Sequence, residues 1–243
     1  MTPPDQRRKR ILVSAVSFAD ADSALRLASL LEFEGGLDLG GLLVTEDTLA
    51  LRAAMPGQRL VTPGGAMVSA PTEQQLRSMI RSEARAFRER LLSVAEALSA
   101  VGKFESRRGD LTRIVLEVAE GWDVLLLGYS ARHRCRGNVI LIVPPSGLSK
   151  QSEALAAALA RSLGTGLATV ALAGGPAAKM PGDCQVFASR DALLAHIARQ
   201  NAAAVLSELS TGLSESFRQL QDLLEHARCP VILTNPTGRE ALE

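Results

Sequence analysis

Short runs of apolar residues alternate along this chain with longer segments in which apolar residues recur every three to four positions. The short runs are almost unbroken, which is typical of strands buried on both faces of a parallel sheet. The longer segments predict amphipathic helices of about 10 to 20 residues between the strands. The predicted strands are ILVSAV (11–16), LDLGGLLV (37–44), KFESRR (103–108), DVLLLG (123–128), NVILIV (138–143), GLATVAL (166–172), CQVFAS (184–189), AAAVLSEL (202–209) and CPVILTN (229–235). This alternation predicts an α/β fold with parallel sheets and right-handed crossovers.

Capping residues predict where several of the helices begin. Thr72, followed three residues later by Gln75, has the pattern of a capping box at the start of a long helix. The other predicted helices are residues 24–33 with Asp20 or Asp22 as the cap, a helix after Asp110, one through Leu155 and Leu163, one after Ser189, and one from Leu213 to Ala227. Residues 46–71 lack a regular pattern, and a short helix is expected near 47–54.

Two series of strands and helices follow one another, so the pattern predicts an internal duplication. We expect a basic flexible tail at 1–10, a first repeat at 11–137, a second repeat at 138–236 and a C-terminal tail at 237–243. NVILIV (138–143) is expected to open the second repeat, which leaves the first without its last helix and strand. The second repeat is shortened in its middle. In the alternative, NVILIV closes the first half, and the helix after it then has no opening strand.

Four stretches of the chain resemble the universal stress protein family. ILVSAVSFADADSALRLA resembles the first strand, ligand loop and helix of that family, and VILIVPPSGLSKQSEALAAALA repeats the pattern. RRGDLTRIVLEVAEGWDVLLLG is similar to its G-D…D-hydrophobic-G segment, and LLEHARCPVILTN to its closing helix and strand. The resemblance implies two universal-stress-like repeats with Rossmann-like parallel sheets, an adenine nucleotide alpha hydrolase-like fold. It also implies a homodimer that pairs through the final strand, CPVILTN.

The resemblance implies a nucleotide site whose key residues are changed in this chain. Nucleotide-binding members have an Asp at the end of the first strand and a glycine-rich phosphate loop after the fourth. Here Val16 and Pro145 stand at the Asp position of the two repeats. The first loop keeps Gly128 but loses its second and third glycines, and the second has Glu208 at the strand end, where a carboxylate would repel phosphate. The ATP signature is therefore broken in both halves.

A basic loop after DVLLLG is the remaining candidate for ligand binding. Ligands of open α/β sheets bind at the carboxyl ends of strands, where arginines and a serine hydroxyl can hold phosphate without a glycine cradle. The candidate phosphate-binding residues are Gly128, Ser130, Arg132, Arg134 and Arg136. The alternative is a solvated loop whose arginines only keep an exposed turn soluble.

Composition excludes several classes of protein. Lys+Arg 27 against Asp+Glu 26 gives a net charge of +1, which argues against a dedicated nucleic-acid binder. No apolar run approaches the roughly 20 residues of a membrane span. Three separated cysteines predict free thiols in a reducing compartment, and no cluster has metal-ligand spacing. No catalytic residues can be assigned, so we expect a cytoplasmic protein without cofactor, metal or enzymatic activity.

The leading functional hypothesis is a universal-stress-like regulatory or interaction protein with degenerate nucleotide sites and an unknown protein partner. The alternative is a sensor that binds ATP, ADP, AMP or another phosphate metabolite in one repeat through the loop from Gly128 to Arg136. A nucleotide hydrolase is the third hypothesis, and it lacks any base, nucleophile or metal constellation in the sequence.

Overall fold

A computed structural model describes residues 8–31, 36–45, 59–61, 67–69, 72–129, 137–145, 147–173, 184–209 and 216–235. In these residues nine strands form one sheet and two further strands form an antiparallel pair. The strands are β1 (Lys9–Ala15), β2 (Leu37–Thr45), β3 (Arg59–Val61), β4 (Met67–Ser69), β5 (Val101–Arg108), β6 (Val124–Leu127), β7 (Val139–Val143), β8 (Leu167–Leu172), β9 (Cys184–Phe187), β10 (Ala204–Glu208) and β11 (Val231–Thr234).

Helices connect most of these strands, and side-chain caps define where they begin. They are α1 (Phe18–Ala28), α2 (Glu73–Ala97), α3 (Leu111–Val118), α4 (Lys150–Leu163), α5 (Arg190–Arg199) and α6 (Phe217–Ala227). The predicted caps of α2, α3 and α5 are confirmed, and α2 has the full Thr72–Gln75 capping box. The predicted start of α1 is wrong, because Ser17 caps it by accepting from Asp20 N and the helix begins at Phe18. The helix predicted near 47–54 lies outside the described residues.

The sheet order is β5-β2-β1-β6-β11-β10-β7-β8-β9, and every neighbouring pair is parallel except β6 and β11. The predicted α/β class with a mainly parallel, Rossmann-like sheet is confirmed. Apart from the β3–β4 pair, strands β1, β2, β5 and β6 form the first half of the sheet and strands β7 to β11 form the second half. In each half the third strand is outermost and the fourth lies beside the first. Because β6 and β11 run antiparallel, the carboxyl ends of the two halves lie at opposite edges of the sheet.

Strand β7 belongs to the second half, since it pairs with β8 on one side and β10 on the other. The position beside β6, where a fifth strand of the first half would lie, is taken by β11. β11 therefore has a neighbour on each side within one chain. The predicted dimer contact through CPVILTN is wrong for this reason, because the strand has no free edge to offer a second chain.

In the described residues, apolar side chains cover both faces of the sheet and form two large cores and one small cluster. On one face, residues such as Ile11 and Val13 pack with α1, α2 and α4. On the other, residues such as Leu12 and Leu125 pack with α3, α5 and α6. The neighbouring residues Ile11 and Leu12 face opposite ways because side chains alternate along a strand. The result is three layers, with helices on both sides of one sheet.

The first strand begins earlier than the boundary predicted between tail and first repeat. Lys9 and Arg10 already belong to β1, and Arg10 N donates to an Asp123 carboxylate oxygen at 2.8 Å. Arg8 donates to the Leu37 carbonyl and forms an ion pair with Asp38 at 2.8 Å. The basic residues 8–10 thus hold the start of β1 and are no free tail, whereas residues 1–7 lie outside the described part.

Candidate functional site

Gly128 follows β6, and its close contact with α1 explains the glycine. Its N–H donates to the Ser14 carbonyl at 2.8 Å, which extends the pairing of β6 with β1. A Cβ at this position would lie 2.2 Å from the Asp20 carbonyl oxygen, in the first turn of α1. No side chain fits at that distance, so the glycine lets the backbone of α1 approach the end of β6. The packing of α1 against β6 therefore explains the glycine at 128 without a bound ligand.

The other four predicted phosphate-binding residues, Ser130, Arg132, Arg134 and Arg136, lie outside the described residues. Anion binding by this loop therefore stays a prediction. The far end of the loop is held by a second glycine. Gly137 N donates to the Asn201 carbonyl at 2.7 Å, and a Cβ there would lie 2.0 Å from the same oxygen.

A buried carboxylate lies at the carboxyl end of the second half. Glu208 is the last residue of β10 and is 3% exposed. One of its carboxylate oxygens accepts a hydrogen bond from Ser149 N at 2.8 Å. Ser149 is the N-cap of α4, so the negative charge lies at the positive end of that helix. A helix N-terminus of this kind is the ordinary place for a bound phosphate in α/β folds.

Hydroxyl groups extend this cluster along the same edge. Ser149 Oγ donates to Ser152 Oγ at 2.9 Å, and Ser152 Oγ contacts Thr234 Oγ1 at 2.6 Å. Ser152 is fully buried in the first turn of α4, and Thr234 ends β11. The hydroxyls satisfy one another inside the fold, where a lone buried hydroxyl would be costly. Together with Glu208 they fill the edge with the protein's own polar groups.

The first half has a similar contact at the start of α1. Phe18 N donates to a carboxylate oxygen of Glu83, which projects from α2. The N-cap Ser17 donates its hydroxyl proton to Asp20 at 2.6 Å. In each half, therefore, a carboxylate from another element accepts from the helix that follows the first strand. The two differ in burial, because Glu83 is exposed whereas Glu208 is buried.

Other features of the described residues add no reactive centre. No group of three or more His, Cys, Asp or Glu residues in them could hold a metal ion. Cys184 and Cys229 are free thiols, and burial raises the pKa of Cys184, which keeps that thiol protonated. Val16 and Pro145, predicted to stand where nucleotide-binding relatives have Asp, are exposed at the ends of β1 and β7.

Sequence reasoning identified Glu208 at the strand end but missed its partner and the residues around it. Ser149 and Ser152 have the S-x-x-S spacing of a cap and its first turn, which is a weak signal on its own. Glu83 lies in the middle of a charged helix, where nothing in the sequence distinguishes it from its neighbours. Both contacts join residues more than 50 positions apart, Ser149 to Glu208 at a separation of 59 and Phe18 to Glu83 at 65.

Comparison with solved structures identifies the architecture. A universal stress protein from Archaeoglobus fulgidus DSM 4304 aligns with a TM-score of 0.50 at 10% identity, covering 95% of this chain and 97% of that one. The fold is that of a universal stress protein. The resemblance predicted from the sequence is confirmed at the level of the fold.

Two further solved structures align at lower scores. A universal stress protein from Pseudomonas aeruginosa aligns with a TM-score of 0.41 at 12% identity, covering 95% of this chain and 94% of that one. The cytoplasmic domain of a prokaryotic cation chloride cotransporter aligns at 0.45 and 11% identity, covering 96% and 98%. No protein-family model matches the sequence, and no curated protein matches it either. None of the described helices is long and apolar enough to cross a bilayer.

Proposed function

We propose that the chain is a universal-stress-like regulatory or interaction protein of the cytoplasm, without catalytic activity, whose nucleotide sites have degenerated. The observation that carries the proposal is the buried Glu208 carboxylate, which accepts from Ser149 N at the N-terminus of α4. The shared fold makes this edge the place to expect a nucleotide phosphate. An internal carboxylate there removes the need for an external anion.

The electrostatic argument depends on the burial of Glu208. The N-terminus of a helix carries about half a positive charge, which a single carboxylate at hydrogen-bond distance is enough to satisfy. A phosphate at the same N–H would have to displace that carboxylate or lie beside it in a water-poor setting, where like charges repel strongly. The second half is therefore a poor nucleotide site.

In the first half, the carboxylate that accepts from the start of α1 is exposed to solvent. This favours a phosphate-binding sensor as the second candidate function. Glu83 is exposed and extends from α2 across to Phe18, so water can replace it at low cost. The arginines at 132, 134 and 136 follow β6, whose carboxyl end lies at the same edge as the start of α1. If the protein binds an adenine nucleotide or another phosphate metabolite, we propose the first half as the site.

The test begins with the purified protein. Denaturation followed by chromatography and mass analysis is expected to release no nucleotide. ATP, ADP and AMP at millimolar concentration are expected to leave its melting temperature unchanged. Bound or stabilising nucleotide would overturn the degenerate-site proposal in favour of the sensor. In that event Arg132→Ala with Arg134→Ala is expected to abolish binding if the basic loop is the site.

A gain of anion binding tests the role of Glu208 directly. Glu208→Ala removes the carboxylate and leaves Ser149 N without its partner, which lowers the free energy of unfolding by about 2 kcal/mol. Millimolar sulfate or ATP is then expected to restore part of the melting temperature of the variant but not to raise that of the native protein.

The matched control is Glu153→Ala, which removes an exposed carboxylate from the first turn of the same helix. We expect it to change stability little and to gain no response to anions. If Glu208→Ala shows no more anion stabilisation than Glu153→Ala, the carboxylate is not what keeps anions out. The proposed reason for the degenerate site would then be wrong.

We also propose that the chain forms a homodimer, through a surface other than β11. The outer strands β5 and β9 end the described sheet order, and an outer strand can pair with a second chain. Light scattering coupled to size-exclusion chromatography is expected to give twice the mass of the 25.7 kDa chain. A monomer at all accessible concentrations would refute the dimer and leave interaction with another protein.

A further inference from the structure

A cleft of about 340 Å³ opens on the face of the sheet that carries α3. Its walls come from β1, β2 and β5 and from the end of α3. The residues that line it include Leu12, Gly40, Leu42, Lys103, Val118 and Trp122. The volume lies within the range of small-molecule sites, about 300–1,000 Å³. The cleft lies over the middle of the strands, away from the edge that holds Glu208.

Strand register explains the floor of the cleft. Leu12, Gly40 and Lys103 are direct neighbours across β1, β2 and β5, so their side-chain positions form one row on this face. The next row on the same face contains Leu42 and Glu105. The floor is thus apolar at β1 and charged at the outer strand β5. Between them, Gly40 of β2 adds no side chain to the floor.

Gly40 makes room for the indole ring of Trp122. A Cβ on Gly40 would lie 2.2 Å from the nearest indole carbon, so any other residue would push the ring away from the sheet. The turn that carries Trp122 is held from the second half, because Asn235 Nδ2 donates to the carbonyls of Ala119 at 3.2 Å and Trp122 at 3.4 Å. The half-buried indole is therefore a fixed aromatic wall of the cleft.

The charges at the rim favour an anion. The Glu105 carboxylate accepts from Arg107 Nε at 2.6 Å and forms an ion pair with it. Lys103, the direct neighbour of Gly40, has no hydrogen-bond or ion-pair partner among the described residues. An uncompensated ammonium group beside an aromatic, largely apolar cleft attracts a negative group attached to an apolar body.

We propose that this cleft binds a small planar aromatic molecule that carries one carboxylate or similar anionic group. The ring packs against the indole of Trp122 and the side chains of Leu12 and Val118. The anionic group lies at the outer strand, where the ammonium group of Lys103 reaches it. The site does not depend on the proposed function, since it uses a different surface from the carboxyl edge.

The single tryptophan of the chain makes the site directly observable. Trp122 gives the one indole N–H resonance in a proton–nitrogen correlation spectrum of the full-length protein. Titration with naphthoate is expected to shift this resonance to saturation. Naphthamide, which has the same ring without the charge, is expected to bind more weakly by about fivefold, the factor that one exposed ion pair supplies.

A matched pair of lysine variants separates the proposal from general charge attraction. Lys103→Gln is expected to weaken naphthoate about fivefold and to leave naphthamide unchanged. Lys150→Gln, an exposed lysine at the start of α4 in the second half, is expected to change neither. If neither compound shifts the indole resonance, the cleft is no site for aromatic ligands. If Lys103→Gln matches the native protein, or Lys150→Gln weakens naphthoate equally, the anionic class is wrong.

Discussion

Two buried serine hydroxyls differ in their hydrogen bonding: one has no partner among the described residues and the other has two. Ser14 lies in β1 between Leu42 of β2 and Leu127 of β6, and its buried Oγ has no hydrogen-bond partner in the described structure. Ser152 is equally buried, but its Oγ contacts both Ser149 Oγ and Thr234 Oγ1. An unsatisfied buried hydroxyl costs free energy, whereas a satisfied one contributes to stability.

Replacing each serine by alanine is expected to change stability in opposite directions. Ser14→Ala should raise the free energy of unfolding by about 1 kcal/mol, because it removes a desolvated hydroxyl without breaking a bond. Ser152→Ala should lower it by about 2 kcal/mol, because it leaves Thr234 without its partner in the core. Urea unfolding followed by circular dichroism measures both values. A loss of stability in Ser14→Ala similar to that in Ser152→Ala would contradict the assignment.

At the scale of the element, two helices have the same capping box but different support from the core. Thr72 caps α2 and Ser216 caps α6, each with a glutamine three residues later that returns the hydrogen bond. The buried residues of α2 all lie in its second half, from Phe87 to Ala95. Those of α6 begin in its first turn, where Leu220 is fully buried.

Loss of the cap should therefore open only the first turns of α2, whereas in α6 it should lower the stability of the whole fold. Ser216→Ala is expected to lower the free energy of unfolding by about 1 kcal/mol, since fraying of α6 exposes Leu220. Thr72→Ala is expected to lower it by only about 0.3 kcal/mol, because the exposed start of α2 can open alone. Hydrogen exchange would show faster amide exchange confined to the first turns of α2. Equal global losses in the two variants would contradict this difference.

At the scale of the whole molecule, the antiparallel pairing of β6 and β11 joins the two halves. Residues Val231 to Thr234 pair in register with β6 on one side, and Val205 to Glu208 of β10 pair with them on the other. Ile232 lies in the centre of this strand and is fully buried. A strand in this position is needed for the fold of the single chain, whatever its state of association.

Ile232→Pro is expected to give an unfolded or insoluble protein, because proline has no N–H and removes a ladder hydrogen bond inside the sheet. The conservative control, Ile232→Val, should remain folded and lose about 1 kcal/mol. Circular dichroism and light scattering distinguish the outcomes. A folded monomeric Ile232→Pro would show that the strand serves association between chains, which contradicts the pairing of β11 with β6 and β10 within one chain.

The elements were largely predictable because their signals are local. Unbroken apolar runs such as 123–128 predict buried strands, and the caps of α2, α3 and α5 stand in the sequence beside the helices they start. The start of α1 was missed because serine and aspartate residues at positions 17, 20 and 22 are all competent caps. Only backbone geometry selects Ser17 among them.

The candidate site was predicted less completely, for a physical reason. The glycine at 128 and the carboxylate at 208 are visible in the sequence, but their roles depend on what approaches them in space. The packing of α1 against Gly128 and the bond from Ser149 N to Glu208 join segments that are distant along the chain. The rest of the predicted basic loop lies outside the described residues, so its anion binding stays a prediction.

The sequence alone determined the α/β class, the position of most strands and several helix caps. These features depend on periodicity and on short-range backbone chemistry, which neighbouring residues specify. Tertiary structure decided that the two series of strands form one sheet, that β11 fills the edge of the first half, and that Trp122 lies against Gly40. Such contacts join residues far apart along the chain, and only packing of the whole molecule selects them.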